Sequence, residues 1–181
     1  MKFGQPENEL DQIDLHILAL LQENCKLPLA KIGEKVGLSA PSVIERIKKL
    51  EDHEVITGYR AILNARRLGK DVTAFIGVSI GHPKLIGEFE RDVVRLDDVL
   101  ECHHVTGQHT LLLKVKTQDT SSLEELISNI RSIDGVDRTE TMVVLSTHTE
   151  RTQIAIDYDA TPPVKRPRKN GEKHPVQFKG V

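Results

Sequence analysis

Between residues 39 and 49 the chain reads Ser-Ala-Pro-Ser-Val-Ile-Glu-Arg-Ile-Lys-Lys, small groups followed by cations. Arg46 carries a planar fork of donors that fits guanine N7 and O6 bidentately, whereas Lys48 and Lys49 are compact charges suited to phosphate. Glu45 can accept from cytosine N4 or simply repel phosphate. Ahead of them, Ser39, Ala40, Pro41 and Ser42 are small enough to approach a major groove and leave backbone N–H groups free for a phosphate. A solvated helix face with ordinary surface charges is the alternative. A second group, Cys102, His103, His104 and His109, suggests metal ligation, because alternate residues of a strand share a face. Structural zinc sites offer closer-spaced pairs and a fourth ligand, so no metal is expected and a polar loop lining or surface histidine is the preferred reading. No Ser-His-Asp order, phosphate-binding glycine loop or paired-carboxylate motif is identifiable, so neither an enzyme nor a cofactor is expected.

The cations need a scaffold, and the surrounding periodicity supplies one. Leu10, Ile13, Ile17, Leu20 and Leu21 recur at helical spacing after Asp11, predicting a helix over residues 11–23. Leu29, Ile32 and Val36 mark a second, short helix, ended by Gly37, with Leu38 folding back. Ser39 is then an N-cap and Pro41 fits a first turn, so a third helix runs over 40–52 with Val43, Ile47 and Leu50 inward. Helix, short helix, glycine turn and capped basic helix is the order of a helix-turn-helix. Val55 to Leu63 is expected to add a short strand or hairpin, the wing.

The second half changes period. Val72 to Ile80 reads as a strand, Leu85 to Leu96 as a helix, Val99 to Thr106 and Thr110 to Val115 as a hairpin around Gly107 to His109. A helix carrying Leu123, Leu126, Ile127 and Ile130 follows, and Val136 to Ser146 is a last strand. The order β-α-β-β-α-β is the ferredoxin-like split motif, so the fold class is α+β. Segments such as VTAFIGV, LLLKV and MVVL suggest strands apolar on both sides, whose uncovered face would meet a second copy. Such a symmetric dimer would set two reading helices about 34 Å apart, matching a pseudo-palindromic DNA site.

Composition limits the alternatives. At 181 residues there is room for two small domains, and the net charge of -2 gives no overall basic excess. Residues 160–181 nevertheless hold six basic side chains and one acidic. This proline-rich tail is expected to be disordered, with its cations either adding sequence-independent phosphate contacts or having no role. No apolar run is long enough to span a membrane and the N-terminus lacks a hydrophobic signal core, so a cytoplasmic protein is expected. Two cysteines, Cys25 and Cys102, are too few for a disulfide framework. Few aromatics argue against a single-strand stacking platform.

In the order LDQID, GLSAPSVIERIKKLE, VITGYRAILN, VTGQHTLLLKV and IDGVDRTETMVVL, residues 10–148 resemble the leucine-responsive and asparagine-responsive (Lrp/AsnC) family of transcription regulators. The resemblance implies a winged helix-turn-helix at 1–63, a linker at 64–71 and a ferredoxin-like effector and oligomerisation domain at 72–150; beyond what it covers, residues 151–181 read as a C-terminal extension. It further implies double-stranded promoter DNA as partner, a homodimer that assembles into larger rings such as octamers, and an amino acid or related metabolite as effector. Its effector region falls on Gly107, Gln108, His109 and Thr110. Two positions depart from the family pattern. Glu54 stands where the family usually has glycine after the third helix, and Thr110 stands where the loop commonly has an aspartate able to meet an ammonium group. One enzyme class shares the architecture, the siroheme decarboxylases, but their histidine- and aromatic-rich substrate motif is not apparent.

Overall fold

The computed structural model describes residues 10–158. They divide into two compact units: the chain up to Tyr59 together with the segment from Thr152 onward, and Arg60–Arg151. The first unit contains three helices, α1 (Gln12–Glu23), α2 (Leu29–Val36) and α3 (Ala40–Asp52). The Asp11 carboxylate accepts from the Asp14 N–H at 2.8 Å, and the Asp14 carboxylate accepts from the Asp11 N–H at 3.3 Å. This capping box satisfies orphan donors at the start of α1. Gly37 closes α2 in the left-handed region with φ 72°, and Ser39 caps α3 by accepting from Ser42 N at 3.3 Å. Ile17, Leu20, Ile32, Val43 and Leu50 form the buried core, with Leu10, Ile13, Leu38, Ile47 and Ile56 packed around it. So small a core leaves the unit dependent on its caps and ion pairs.

The end of α3 shows what Glu54 does in place of glycine. Val55 N donates to Leu50 O at 2.9 Å and Glu54 N to Glu51 O at 2.9 Å, the paired bonds of a Schellman motif. That motif needs a left-handed residue, and Glu54 takes the role with φ 57°. The helix therefore ends as a glycine would end it, at a steric cost of about 1 kcal/mol. Glu54→Gly is expected to raise stability by somewhat under ~1 kcal/mol, because glycine also frees the unfolded chain. A urea midpoint that rises with an unchanged m value is the expected readout; a lower midpoint would mean that the Glu54 side chain itself stabilises the unit.

The expected wing is not formed. Residues 57–64 pair with no strand among the described residues, and Ala65–Leu68 make a single 3-10 turn. A strand is stable only where its backbone groups find a ladder, and the local sequence supplies none.

The second unit is a four-stranded antiparallel sheet, β1 (Val72–Ile80), β2 (Val99–His104), β3 (Leu111–Thr117) and β4 (Val136–Val143), in the order β2-β3-β1-β4. Helices α4 (Ile86–Val93) and α5 (Thr120–Arg131) complete the β-α-β-β-α-β order. On the helix side, Ala74, Ile76, Val78, Leu111, Leu113 and Val115 are buried against Phe89, Val93, Leu123, Leu126 and Ile130. The other face corrects the expectation of strands apolar on both sides. Registers Gly77↔Leu112, Gly77↔Glu140, Phe75↔Lys114, Phe75↔Met142 and Glu101↔Lys114 place apolar Phe75, Leu112 and Met142 among charged Lys114, Glu101 and Glu140. Alternation along β3 decides this, since period 2 sends Lys114 and Lys116 to the face opposite Leu113 and Val115. Lys114 and Lys116 are held by Glu150, at 2.5 Å and 3.2 Å, and Lys114 also by Glu101 at 3.1 Å. Among the described residues no helix is long and apolar enough to cross a membrane.

Candidate nucleic-acid interface and effector loop

Turning about 100° per residue, α3 directs Val43 and Leu50 into the core and leaves Pro41, Ile44, Glu45, Lys48 and Lys49 exposed. Ser39 and Ser42 share a hydroxyl–hydroxyl bond of 2.9 Å beside the capping bond, so both are committed to starting the helix. Ala40 is half-buried next to them. Arg46 behaves differently from Lys48 and Lys49. Its Nη1 lies 2.8 Å from an Asp11 oxygen and 2.7 Å from an Asp14 oxygen, and its side chain is 31% exposed. The carboxylates that cap α1 thus also grip α3. Burial works to raise the Asp11 carboxyl, but the Asp14 N–H and the Arg46 guanidinium outweigh it and hold the group below its ordinary value. The same contacts, Asp14 first and Asp11 second, raise the Arg46 guanidinium further.

Gly33 was absent from the residues singled out by sequence. A methyl group there would sit 2.4 Å from the backbone oxygen of Leu38. That contact is where the turn between α2 and α3 folds back, with Leu38 N donating to Gly33 O at 2.9 Å. The available signal was a glycine inside a helical pattern, a position that costs stability unless close packing requires it.

In the hairpin loop, Gly107 has φ 128° and Gln108 is exposed. Thr110 is engaged with β1: its N–H donates to Val78 O at 2.9 Å and its hydroxyl accepts from Ile80 N at 3.1 Å. The His109 ring lies across Gly77, where a methyl group would be 2.4 Å from its Cδ2. Its Nε2 is 3.4 Å from a Glu140 carboxylate oxygen, and its Nδ1 is buried without a hydrogen-bond partner. The loop lacks an acidic residue of its own, yet β4 delivers one to its edge. A mid-strand glycine was the sequence signal for Gly77. Glu140 had none, because only the β1–β4 register sets it opposite Gly77.

Among the described residues no group of three or more His, Cys, Asp and Glu side chains is gathered so as to hold a metal ion. Cys102 packs toward the helices, where burial and then Glu90 push its thiol up. His103 lies on the other face, 3.2 Å from Glu101.

Two family descriptions match: the AsnC-type helix-turn-helix domain over residues 10–51 and the Lrp/AsnC ligand binding domain over 73–154. Over 147 residues the chain is 36% identical to the HTH-type transcriptional regulator FL11 of Pyrococcus abyssi, covering 81% of this chain and 97% of that one. The chain belongs to the Lrp/AsnC family. The Lrp/AsnC fold is equally evident in structure: E. coli AsnC superposes with a TM-score of 0.76 at 30% identity, covering 81% of this chain and 99% of that one. A Neisseria meningitidis transcriptional regulator solved as an L-methionine complex superposes at 0.79 with 28% identity, covering 84% and 100%. As an Lrp/AsnC member the chain is a DNA-binding transcription regulator with a ligand-binding domain. These relatives, like the leucine-responsive regulatory protein of Salmonella typhimurium, are transcription regulators rather than enzymes.

Proposed function

We propose that this Lrp/AsnC regulator reads double-stranded promoter DNA with the outward face of α3 and adjusts its occupancy in response to an amino acid. In this reading Ser39, Ala40, Pro41 and Ser42 seat the helix N-terminus against the DNA backbone, while Glu45, Lys48 and Lys49 face the groove and its phosphates. Arg46 orients α3 instead of reading a base, because its guanidinium is already held by two carboxylates. The observation that carries the reading is the seated α3 with Pro41, Glu45, Lys48 and Lys49 all exposed on one side.

The effector is an amino acid bound at Gly107, Gln108, His109 and Thr110, with its ammonium group against Glu140. The Neisseria relative binds methionine, and Glu140 compensates for the acidic residue that Thr110 does not supply. Two copies, and then larger rings, enclose the site. In support, Ile62 and Leu145 are 89% and 95% exposed, apolar surface that a second copy would cover. A cytoplasmic location fits this activity.

The test is retention of fragments from upstream of native genes against scrambled duplex, with and without an amino-acid panel that includes methionine. Selective retention is expected, shifted by at least one amino acid. Glu140→Gln is expected to keep DNA binding and weaken the amino-acid response about tenfold or more, the loss of a charge-assisted bond. Equal retention of scrambled duplex would remove the DNA reading, and an unaltered response in Glu140→Gln would remove the ammonium contact.

A further inference from the structure

The polar side chains at the front of α3 are engaged within their own unit. Ser39 and Ser42 bond each other at 2.9 Å while Ser39 caps the helix, and Arg46 is gripped by Asp11 and Asp14. A reading helix of a helix-turn-helix meets base edges with its N-terminal residues. Among the first six residues of α3, from Ala40 to Glu45, the exposed side chains are Pro41, Ile44 and Glu45. Two of these three are apolar.

Ile44 stands apart from the other large apolar residues of its helix. Val43 and Leu50 are buried and Ile47 packs against them, whereas Ile44 is 50% exposed and lies outside that core. At 100° per residue it sits about 40° from Lys48 and about 60° from Pro41 around the helix, so the three form one exposed strip. A β-branched residue is a weaker helix former than Ala, Leu, Glu or Lys, so helix propensity does not account for isoleucine at this exposed position.

From these observations we infer that Ile44 is a base-reading residue specific for thymine, packing against the C5 methyl group in the major groove. In that groove thymine alone carries an apolar group, while the other base edges present donors and acceptors. Isoleucine has no hydrogen-bonding group, so against guanine, adenine or cytosine it would strip water from a polar edge without replacing its bonds. Its stiff side chain also loses less rotamer freedom on docking than lysine or arginine would. Lys48, one turn along the same strip, then lies where it can meet the flanking phosphate. The inference rests on α3 contacting DNA and adds to that reading the base that the helix selects.

The experiment replaces the thymines of a native upstream fragment one at a time by deoxyuridine, which removes the methyl group and keeps every hydrogen-bonding edge. The full chain and its Ile44→Ala variant are titrated with each duplex and with scrambled duplex. For the unaltered chain, affinity is expected to fall about fourfold at each thymine whose methyl is read, the effect of burying one such group. Ile44→Ala should bind the native fragment several-fold more weakly and be indifferent to the same replacements, so that the two changes are non-additive. Its urea midpoint should stay close to the parent's, because better helix propensity offsets the lost packing of a half-exposed side chain. Ile44→Val, which keeps the β-branch, should retain most of the sensitivity to deoxyuridine. Indifference of the unaltered chain to every replacement, with its preference for the native fragment intact, overturns the inference and leaves the α3 reading standing. An Ile44→Ala chain that still responds to the same deoxyuridines overturns it too, because another side chain would then hold the methyl group. Equal binding of native and scrambled duplex by the unaltered chain removes the α3 reading, and the inference with it.

Discussion

Gly33→Ala is expected to destabilise the reading unit by about 3 kcal/mol, the upper part of the range for an overpacked site. The added methyl group would lie 2.4 Å from Leu38 O, and a backbone carbonyl cannot rotate away as a side-chain tip can. Relief requires the α2–α3 turn to open, which breaks the Leu38 N to Gly33 O bond and withdraws Leu38 from the core. The conformational gain of alanine over glycine inside α2, about 0.5–1 kcal/mol, is too small to offset this. Thermal or urea unfolding should show the reading unit melting early while the sheet unit keeps its own transition. DNA affinity should fall with it at temperatures where the variant is still folded, since α3 is then seated at a different angle. A variant as stable as the parent would mean that the turn can relax without cost.

Arg46→Ala is expected to produce the second largest effect, about 1–2 kcal/mol of stability. That lies above an exposed ion pair and below a fully buried one, because Arg46 is 31% exposed and Asp14 only 13%. The variant leaves the two carboxylates facing each other without a cation. Binding should weaken on every duplex alike, because helix position rather than one base contact is lost. Relaxed preference at a single base pair, with stability unaltered, would instead assign Arg46 to base readout. Acid supplies an independent check. The Asp11 carboxyl is depressed in the folded state, so its stabilisation is complete above the unfolded value near 3.8 and is lost as pH falls below it. Stability of the unaltered chain should therefore fall as pH drops below about 4, and Arg46→Ala should lessen that fall.

Local chemistry made much of this legible from sequence. The capping residues Asp11 and Ser39, the left-handed Gly37 and the apolar stripe Val43, Ile47 and Leu50 each act within a few neighbouring residues. Periodicity together with these caps therefore predicted the three helices of the first unit and the β-α-β-β-α-β element order of the second. Lrp/AsnC membership followed from the same segments, read in sequence.

What the sequence left open depended on distance. Val55 to Leu63 has the composition of a strand, but a strand exists only with a partner, and none is adjacent in sequence. Arg46 has the chemistry of a base reader. Whether its fork stays free is decided by Asp11 and Asp14, more than thirty residues earlier. Glu140 is one of many acidic residues until the β1–β4 register sets it beside His109 and Gly77. The segment after Thr152 reads as a simple extension until Gln22 captures it. The sequence by itself determined elements, caps and family, because these are set by neighbours along the chain. Which charges are free and which are spent is set by neighbours in space, and only the tertiary structure decided that.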